Sequence, residues 1–202
     1  RNQFEIDEGD PFNELLNTRS INNLRGINLF ASVTSEVVDG SDERSKIINV
    51  TVEEKPTGEI TIGAGAGTEG GTLGFSVSEN NFLGKGVKLK TSLRLTEDTV
   101  KGLFSVTNPN FNYSGKALST TFERTTIDKL NDNGYNVDKT GFSFGTGYEQ
   151  FENIRFTPSV SNYYEDLVTS SKASANLRKQ SGSYLESRFN YSLDYDMRDQ
   201  RY

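Results

Sequence analysis

Leu185-Glu186-Ser187-Arg188-Phe189-Asn190-Tyr191-Ser192-Leu193-Asp194-Tyr195-Asp196 decides the fold. Leu185, Phe189, Tyr191, Leu193 and Tyr195 share one alternation, while Glu186, Arg188, Asn190, Ser192, Asp194 and Asp196 share the other, which is the period of two of a β-strand. The pattern recurs upstream. Val87, Leu89, Leu93 and Leu95 alternate with Lys88, Lys90, Ser92 and Arg94, and Phe142, Phe144 and Tyr148 alternate with Gly141, Ser143, Gly145 and Gly147. Strands that are apolar on one face and polar, charged or glycine on the other suit a transmembrane barrel whose polar face lines the interior.

Composition agrees with this. The chain has 202 residues, is 33% hydrophobic and carries a formal charge of −6, and its mean hydropathy is −0.62. A barrel hides from such averages because only alternate residues meet lipid. No run approaches the roughly 18 apolar residues of a membrane helix. The start, Arg1-Asn2-Gln3, has no secretory apolar segment, so either a leader has been removed or the sequence is an internal piece. The absence of Cys excludes a disulfide framework, thiol catalysis and cysteine zinc sites, and the absence of His removes the commonest general base and metal ligand. No cofactor or metal site is expected, and the acidic balance argues against a nucleic-acid partner.

The sequence divides at Pro56. Residues 13–28 read as a helix capped by Asn13, with Leu16, Ile21, Leu24 and Ile27 in one stripe and Gly26 near the end. Residues 32–38 and 47–52 read as two strands joined through Asp39-Gly40-Ser41-Asp42. This helix-plus-hairpin module is too small for a secure core, which points to a missing upstream strand or a neighbouring domain. Residues 57–202 contain no useful helical period. The spacing predicts strands over 58–67, 72–79, 86–95, 100–108, 116–124, 139–149, 154–165 and 184–197. Gly70-Gly71, Gly84 to Gly86, Asn108-Pro109 and Asn133-Gly134 mark the turns, and the longest connections fall at 125–138 and 166–183.

The first of these strands is chemically thin. Ile60, Ile62, Ala64 and Ala66 make its apolar face, while Gly63, Gly65 and Gly67 leave the other nearly empty. Such a strand packs weakly, and its register is poorly pinned. In lipid each unpaired backbone group costs several kcal/mol, so the edge demands a partner it holds only loosely. A loosely held partner can be exchanged for an incoming chain.

Two stretches resemble a known family. Glu79-Asn80-Asn81-Phe82-Leu83-Gly84-Lys85-Gly86, preceded by Val52-Glu53-Glu54-Lys55-Pro56-Thr57-Gly58, is similar to the junction and the turn between second and third strands in the BamA family of outer-membrane protein assembly factors. Glu8-Gly9-Asp10-Pro11-Phe12, followed by Asn22-Asn23-Leu24 and Phe30, resembles that family's last polypeptide-transport-associated (POTRA) domain, and Thr107-Asn108-Pro109 matches a family turn.

The resemblance implies a mainly β fold: the N-terminal half of an antiparallel transmembrane β-barrel, with about eight of some sixteen strands. It also implies that residues 1–56 are a partial α+β POTRA domain lacking its first strand and most of its first helix. The family's late strands and its long-loop arginine motif are absent from this sequence. The implied location is the outer membrane of a Gram-negative bacterium, with the POTRA part in the periplasm. The implied activity is client insertion rather than enzymatic catalysis. Client strands would pair at a lateral gate formed by Glu59, Ile60, Thr61, Ile62, Gly63, Ala64 and Gly65, and Glu8 would dock a periplasmic lipoprotein subunit. The implied partners are unfolded outer-membrane β-barrel clients, those lipoproteins and outer-membrane lipid.

Other interpretations of the same residues are weaker. Gly63, Gly65 and Gly67 lack the spacing and following helix of a dinucleotide loop. Asp194, Asp196 and Asp199 lack the glycine and glutamate of a calcium loop and suit solvated lumen charge better. Asp7, Glu8 and Asp10 are, at their simplest, a polar turn before a helix. Phe82 and Tyr113 suit interfacial anchors. Rival functions are a polypeptide-secreting POTRA barrel, a passive porin and a carbohydrate-binding sandwich. The helix-plus-hairpin module speaks against the porin, and a charged inner face speaks against the sandwich.

Overall fold

A computed structural model describes residues 3–42, 45–67, 70–151 and 153–197. They divide into two units, one of residues up to Thr57 together with Met197, the other Gly58–Asp196. In the first unit helix α1 spans Glu14–Gly26, and the Asn13 side chain accepts hydrogen bonds from the Leu15 and Leu16 backbone N–H groups at 2.9 and 3.2 Å. That satisfies donors every helix start leaves orphaned. The helix is shorter than residues 13–28 because Asn13 is the cap and Asn28 takes a left-handed φ of 59°.

Strands β1 (Phe30–Asp39) and β2 (Lys46–Glu54) form an antiparallel pair with Val33 opposite Val52. Ile21 and Leu24 of α1 bury against Val33, with Phe4, Phe30 and Val50 packed around them. Ile27 does not join this core. It is the residue that closes the helix and is exposed. Earlier on the buried face stands Ser20, whose full burial is tolerated because its hydroxyl accepts from Glu5 N–H and donates to Leu16 C=O, both at 2.8 Å. At the turn end of the hairpin the Lys46 ammonium hydrogen-bonds Asp39 and holds its carboxyl below the usual range.

The second unit is one antiparallel sheet of eight strands in sequence order: β3 (Gly58–Gly67), β4 (Gly70–Phe82), β5 (Val87–Thr96), β6 (Thr99–Asn108), β7 (Ala117–Lys129), β8 (Tyr135–Phe151), β9 (Ile154–Thr169) and β10 (Gly182–Tyr195). The sheet is open, with β3 and β10 as its edges. A purely consecutive meander is the up-and-down topology of a barrel wall. The alternation sorts as the sequence predicts. Gly141, Gly145, Gly147 and Ser161 are buried on the polar face, while Phe142, Phe144, Val160 and Phe189 stand exposed on the other. Phe82, Phe111, Tyr113 and Phe151 are all exposed at the sheet end that holds the β4–β5, β6–β7 and β8–β9 turns. An aromatic rim of this kind marks the edge of a lipid-facing band.

The two long connections are shorter than expected. Pairing of β7 with β8 continues to Lys129 opposite Tyr135, leaving only residues 130–134 between them. Pairing of β9 with β10 reaches Leu167 opposite Gly182, leaving residues 170–181, which fold partly as the short helix α2 (Ala175–Lys179) capped by Ser174. In these outer segments the apolar residues change face: Ile127, Val137 and Leu167 form one cross-strand row on the inner alternation, with Leu167 buried, while Thr126, Asp128, Asn136 and Asp138 take the outer one, so the phase of the alternation reverses although the backbone ladder persists. Cross-strand pairs support the β7–β8 extension: Asp138 accepts from Thr126 Oγ1 at 2.6 Å and lies 3.3 Å from Arg124.

Candidate functional site

Sequence reasoning places the site on β3, and the structure makes that strand the sheet's first edge. Glu59 to Gly65 pair on one side only, with β4: Ile60 opposite Val77, Thr61 opposite Ser76, Ile62 opposite Phe75 and Gly63 opposite Gly74. Among the described residues the other side of β3 has no strand. Ile60 and Ile62 are 68% and 79% exposed on the apolar face. On the polar face Thr61 Oγ1 donates to Glu59 Oε1 at 3.2 Å. A Cβ added to Gly63, Gly65 or Gly67 would meet nothing within 4 Å. These glycines therefore leave open space rather than fit a neighbour. The edge offers backbone N–H and C=O groups with almost no side chains guarding them, which is the arrangement that invites strand addition.

The opposite end of the sheet is built differently. One cross-strand row runs Thr61–Ser76–Ser92–Leu103 and continues through Glu123–Gly141–Tyr163–Glu186. At its far end the Tyr163 ring occupies the space left by Gly141, where a Cβ would come within 2.6 Å of the ring. Lys139 Nζ and Arg188 Cζ lie 4.8 and 5.0 Å from the ring centroid. Lys139 also bridges Glu165 at 3.0 Å and Glu186 at 3.6 Å, and Arg188 grips Glu186 with two bonds of 2.6 and 2.8 Å. Aromatic, cation–π and ion-pair contacts thus interlock three adjacent strands. The residues share one face of the sheet through their odd or even positions, a signal present in the sequence. Which of them touch depends on register, which the sequence does not display.

The remaining predicted positions are separate. Glu8 is exposed in the turn ahead of α1, beside Gly9, whose φ of 101° suits glycine, and the turn is closed by Asp10 N–H donating to Asp7 C=O. Asp194 accepts from Ser192 at 3.2 Å on the inner face of β10, and Asp199 lies outside the described residues. On the lipid-facing alternation Ser187 is a polar interruption, and it donates to Asn162 at 2.7 Å.

The Omp85 superfamily domain matches residues 81–202, more than half of the chain. The chain belongs to the Omp85 superfamily. This membership carries with it an outer-membrane β-barrel. Among solved structures the Omp85 chain is similar to BamA from Haemophilus ducreyi lacking POTRA domains 1–3, with a TM-score of 0.76, 18% identity, and coverage of 100% of this chain and 42% of that one. It is also similar to CdiB from Escherichia coli, with a TM-score of 0.58, 15% identity, and coverage of 96% and 39%. The likeness to CdiB from Acinetobacter baumannii has a TM-score of 0.52 at 9% identity, covering 95% and 38%. At these identities the matches establish the fold. The Omp85 chain spans about two-fifths of each of those solved chains.

Proposed function

We propose that this chain is the forward part of an outer-membrane protein insertase that folds client β-barrels by pairing their strands with β3. Residues 1–56 are then a partial POTRA domain on the periplasmic side, and β3–β10 are the first half of the barrel. The observation that supports this best is the edge of β3, which is exposed, poor in side chains and fully laddered on its other side. In lipid its unpaired groups require a partner, and its small side chains hold that partner loosely. Each client strand added satisfies backbone groups and places an apolar face in lipid, so folding itself supplies the driving force. The activity needs no covalent chemistry, metal or cofactor.

Cysteine capture tests the pairing. With cysteine at Thr61 or Gly63 of the full-length protein and cysteines along a client's terminal strand, disulfides should form during assembly. The captured positions should step by two along both chains, as a shared ladder requires. Capture without that periodicity, or no capture during productive assembly, overturns the pairing.

A second part of the proposal concerns Glu8 and a basic periplasmic lipoprotein subunit. Glu8→Lys should reduce co-purification of that subunit while heat-modifiable gel mobility of the barrel stays unchanged. A desolvated charge reversal costs several kcal/mol, whereas one at a wet rim costs little. Undiminished co-purification at physiological salt returns Glu8 to the role of a polar turn residue.

The likeness to CdiB supports one other reading, a barrel that passes a polypeptide through its lumen. The two differ in whether β3 must part from its neighbour.

A further inference from the structure

The outer face of β9 is complete within this chain, because both of its neighbours, β8 and β10, are present. Any strand beyond β10 lies two spacings away, about 10 Å. On that face Asn162 interrupts an apolar surface: Val160 and Tyr164 flank it along β9, Phe142 stands opposite on β8, and Phe144, Phe189 and Leu185 occupy corners around it. Its partner across the ladder on β10 is Ser187, whose hydroxyl donates to Asn162 Oδ1 at 2.7 Å. Both residues are exposed.

That bond leaves the two N–H groups of the Asn162 amide to be met, and among the described residues no neighbour, the corner hydroxyl of Thr140 included, accepts from them. Other outward hydroxyls are settled within the sheet. Thr91 and Thr146 donate to the carbonyls of Leu103 and Ala117 at 3.3 and 2.8 Å. Amide donors left unmet on a hydrocarbon-facing surface are costly, so Asn162 calls for an acceptor from outside the wall.

Depth identifies the acceptor. Asn162 and Ser187 each stand eight residues along their strands from the pair Ile154–Tyr195, at the aromatic end of the sheet. At about 3.3 Å per residue and a tilt of about 40°, that is roughly 20 Å up the wall, so a lipid-facing band about 25 Å tall ends only about 5 Å beyond them. The next outward row, Tyr164 with Leu185, falls at that upper edge, where tyrosines concentrate, and Asp166 with Ser183 lies past it. The edge of the band is where acyl chains join their headgroups through carbonyl groups. An Asn side chain together with one hydrogen bond of about 2.9 Å covers the remaining gap.

We infer that Asn162 and Ser187 form a lipid contact site, in which the Asn162 amide donates to the acyl-linkage carbonyl of a lipid in the leaflet opposite the aromatic rim. Ser187 holds the amide oxygen, which turns the nitrogen away from the wall. A protein seated here would bring several polar groups to a face that offers a single amide, whereas one lipid carbonyl matches it. Only the outward facing of the apolar alternation is required. Client pairing at β3 plays no part, and the test contains no client, so either can fail alone.

The test follows urea unfolding of the full-length protein in vesicles of two phosphatidylcholines with the same chains, one ester-linked and one ether-linked, the second having no carbonyl. Asn162→Leu removes the donor and places an apolar side chain on an apolar face, so the barrel still folds. The folding equilibrium constant of the unsubstituted protein relative to Asn162→Leu should be about fivefold larger in the ester lipid than in the ether lipid, the size of one net hydrogen bond. Val160→Leu, at the neighbouring outward position, should give the same ratio in both. Ser187→Ala should keep the fivefold difference, and its loss there would make Ser187 the donor and overturn the assignment to the amide. An Asn162→Leu ratio that is equal in the two lipids overturns the contact and leaves Asn162 as a partner of Ser187 alone. An equal lipid dependence in Val160→Leu overturns it as well, since the bilayer would then act on the whole face. Loss of a co-purifying membrane protein from Asn162→Leu, without lipid dependence, overturns it in favour of a protein contact.

Discussion

A disulfide tying β3 to the final strand of the complete barrel is expected to abolish client insertion while leaving the barrel folded. The expectation rests on the lone ladder of β3 with β4 and on the small side chains between Gly58 and Gly67. If clients are templated on the β3 edge, that edge has to part from its closing neighbour, and a covalent link forbids this. Insertion into liposomes should fall to the level without insertase, and reduction of the disulfide should restore it in the same sample. Normal insertion by a protein whose disulfide is verified as complete would refute pairing at β3 and favour passage through the lumen. Proline at Ile62 should also impair insertion by removing a ladder donor, but it weakens the closed barrel too and discriminates less.

The second large effect concerns which alternation of β10 meets lipid. Phe189 is exposed on the apolar face opposite Val160, with Tyr191 6.2 Å away on the same face, whereas Ser192 lies on the inner face beside Asp194. Phe189→Arg should destabilise the full-length barrel by about 2–4 kcal/mol if the site lies near the bilayer midplane. Ser192→Arg should cost far less, because the new cation enters a polar wall next to a carboxylate. Urea unfolding of the refolded variants, followed by heat-modifiable mobility, measures both. Equal losses, or a larger loss in Ser192→Arg, would reverse the assigned facing.

Strand number and facing were legible in the sequence because a lipid-spanning wall enforces the alternation of apolar and polar residues. The eight strands of Gly58–Asp196 fall where the period of two places them, and β3 matches the expected 58–67. The ends of β7, β8 and β9 were not legible. Thr126, Asp128, Asn136 and Asp138 occupy the alternation that carries Phe142 and Phe144 further along, while Ile127, Val137 and Leu167 sit on the opposite one, so the hydropathy phase reverses and the strand looks finished where the ladder continues. The buried Ser20 was hidden for a related reason. Its hydroxyl is tolerated inside because Glu5 and Leu16 satisfy it, and that partnership spans 15 residues of chain. At the candidate site, the glycine and alanine run announced an edge with little side-chain cover.

The fit of Tyr163 over Gly141 acts as a keyhole for assembly of the wall itself. A slip of two residues between β8 and β9 keeps every side chain on its proper face, so hydropathy alone does not reject it. Such a slip would bring Tyr163 against Lys139 or Ser143, where the ring no longer finds an empty seat and the pairing of Lys139 with Glu165 is displaced. Shape thus proofreads the alignment of β8 and β9 at the spacing that polarity leaves ambiguous. Gly63, Gly65 and Gly67 offer no such check along β3, which leaves the front strand able to accept neighbours in more than one alignment.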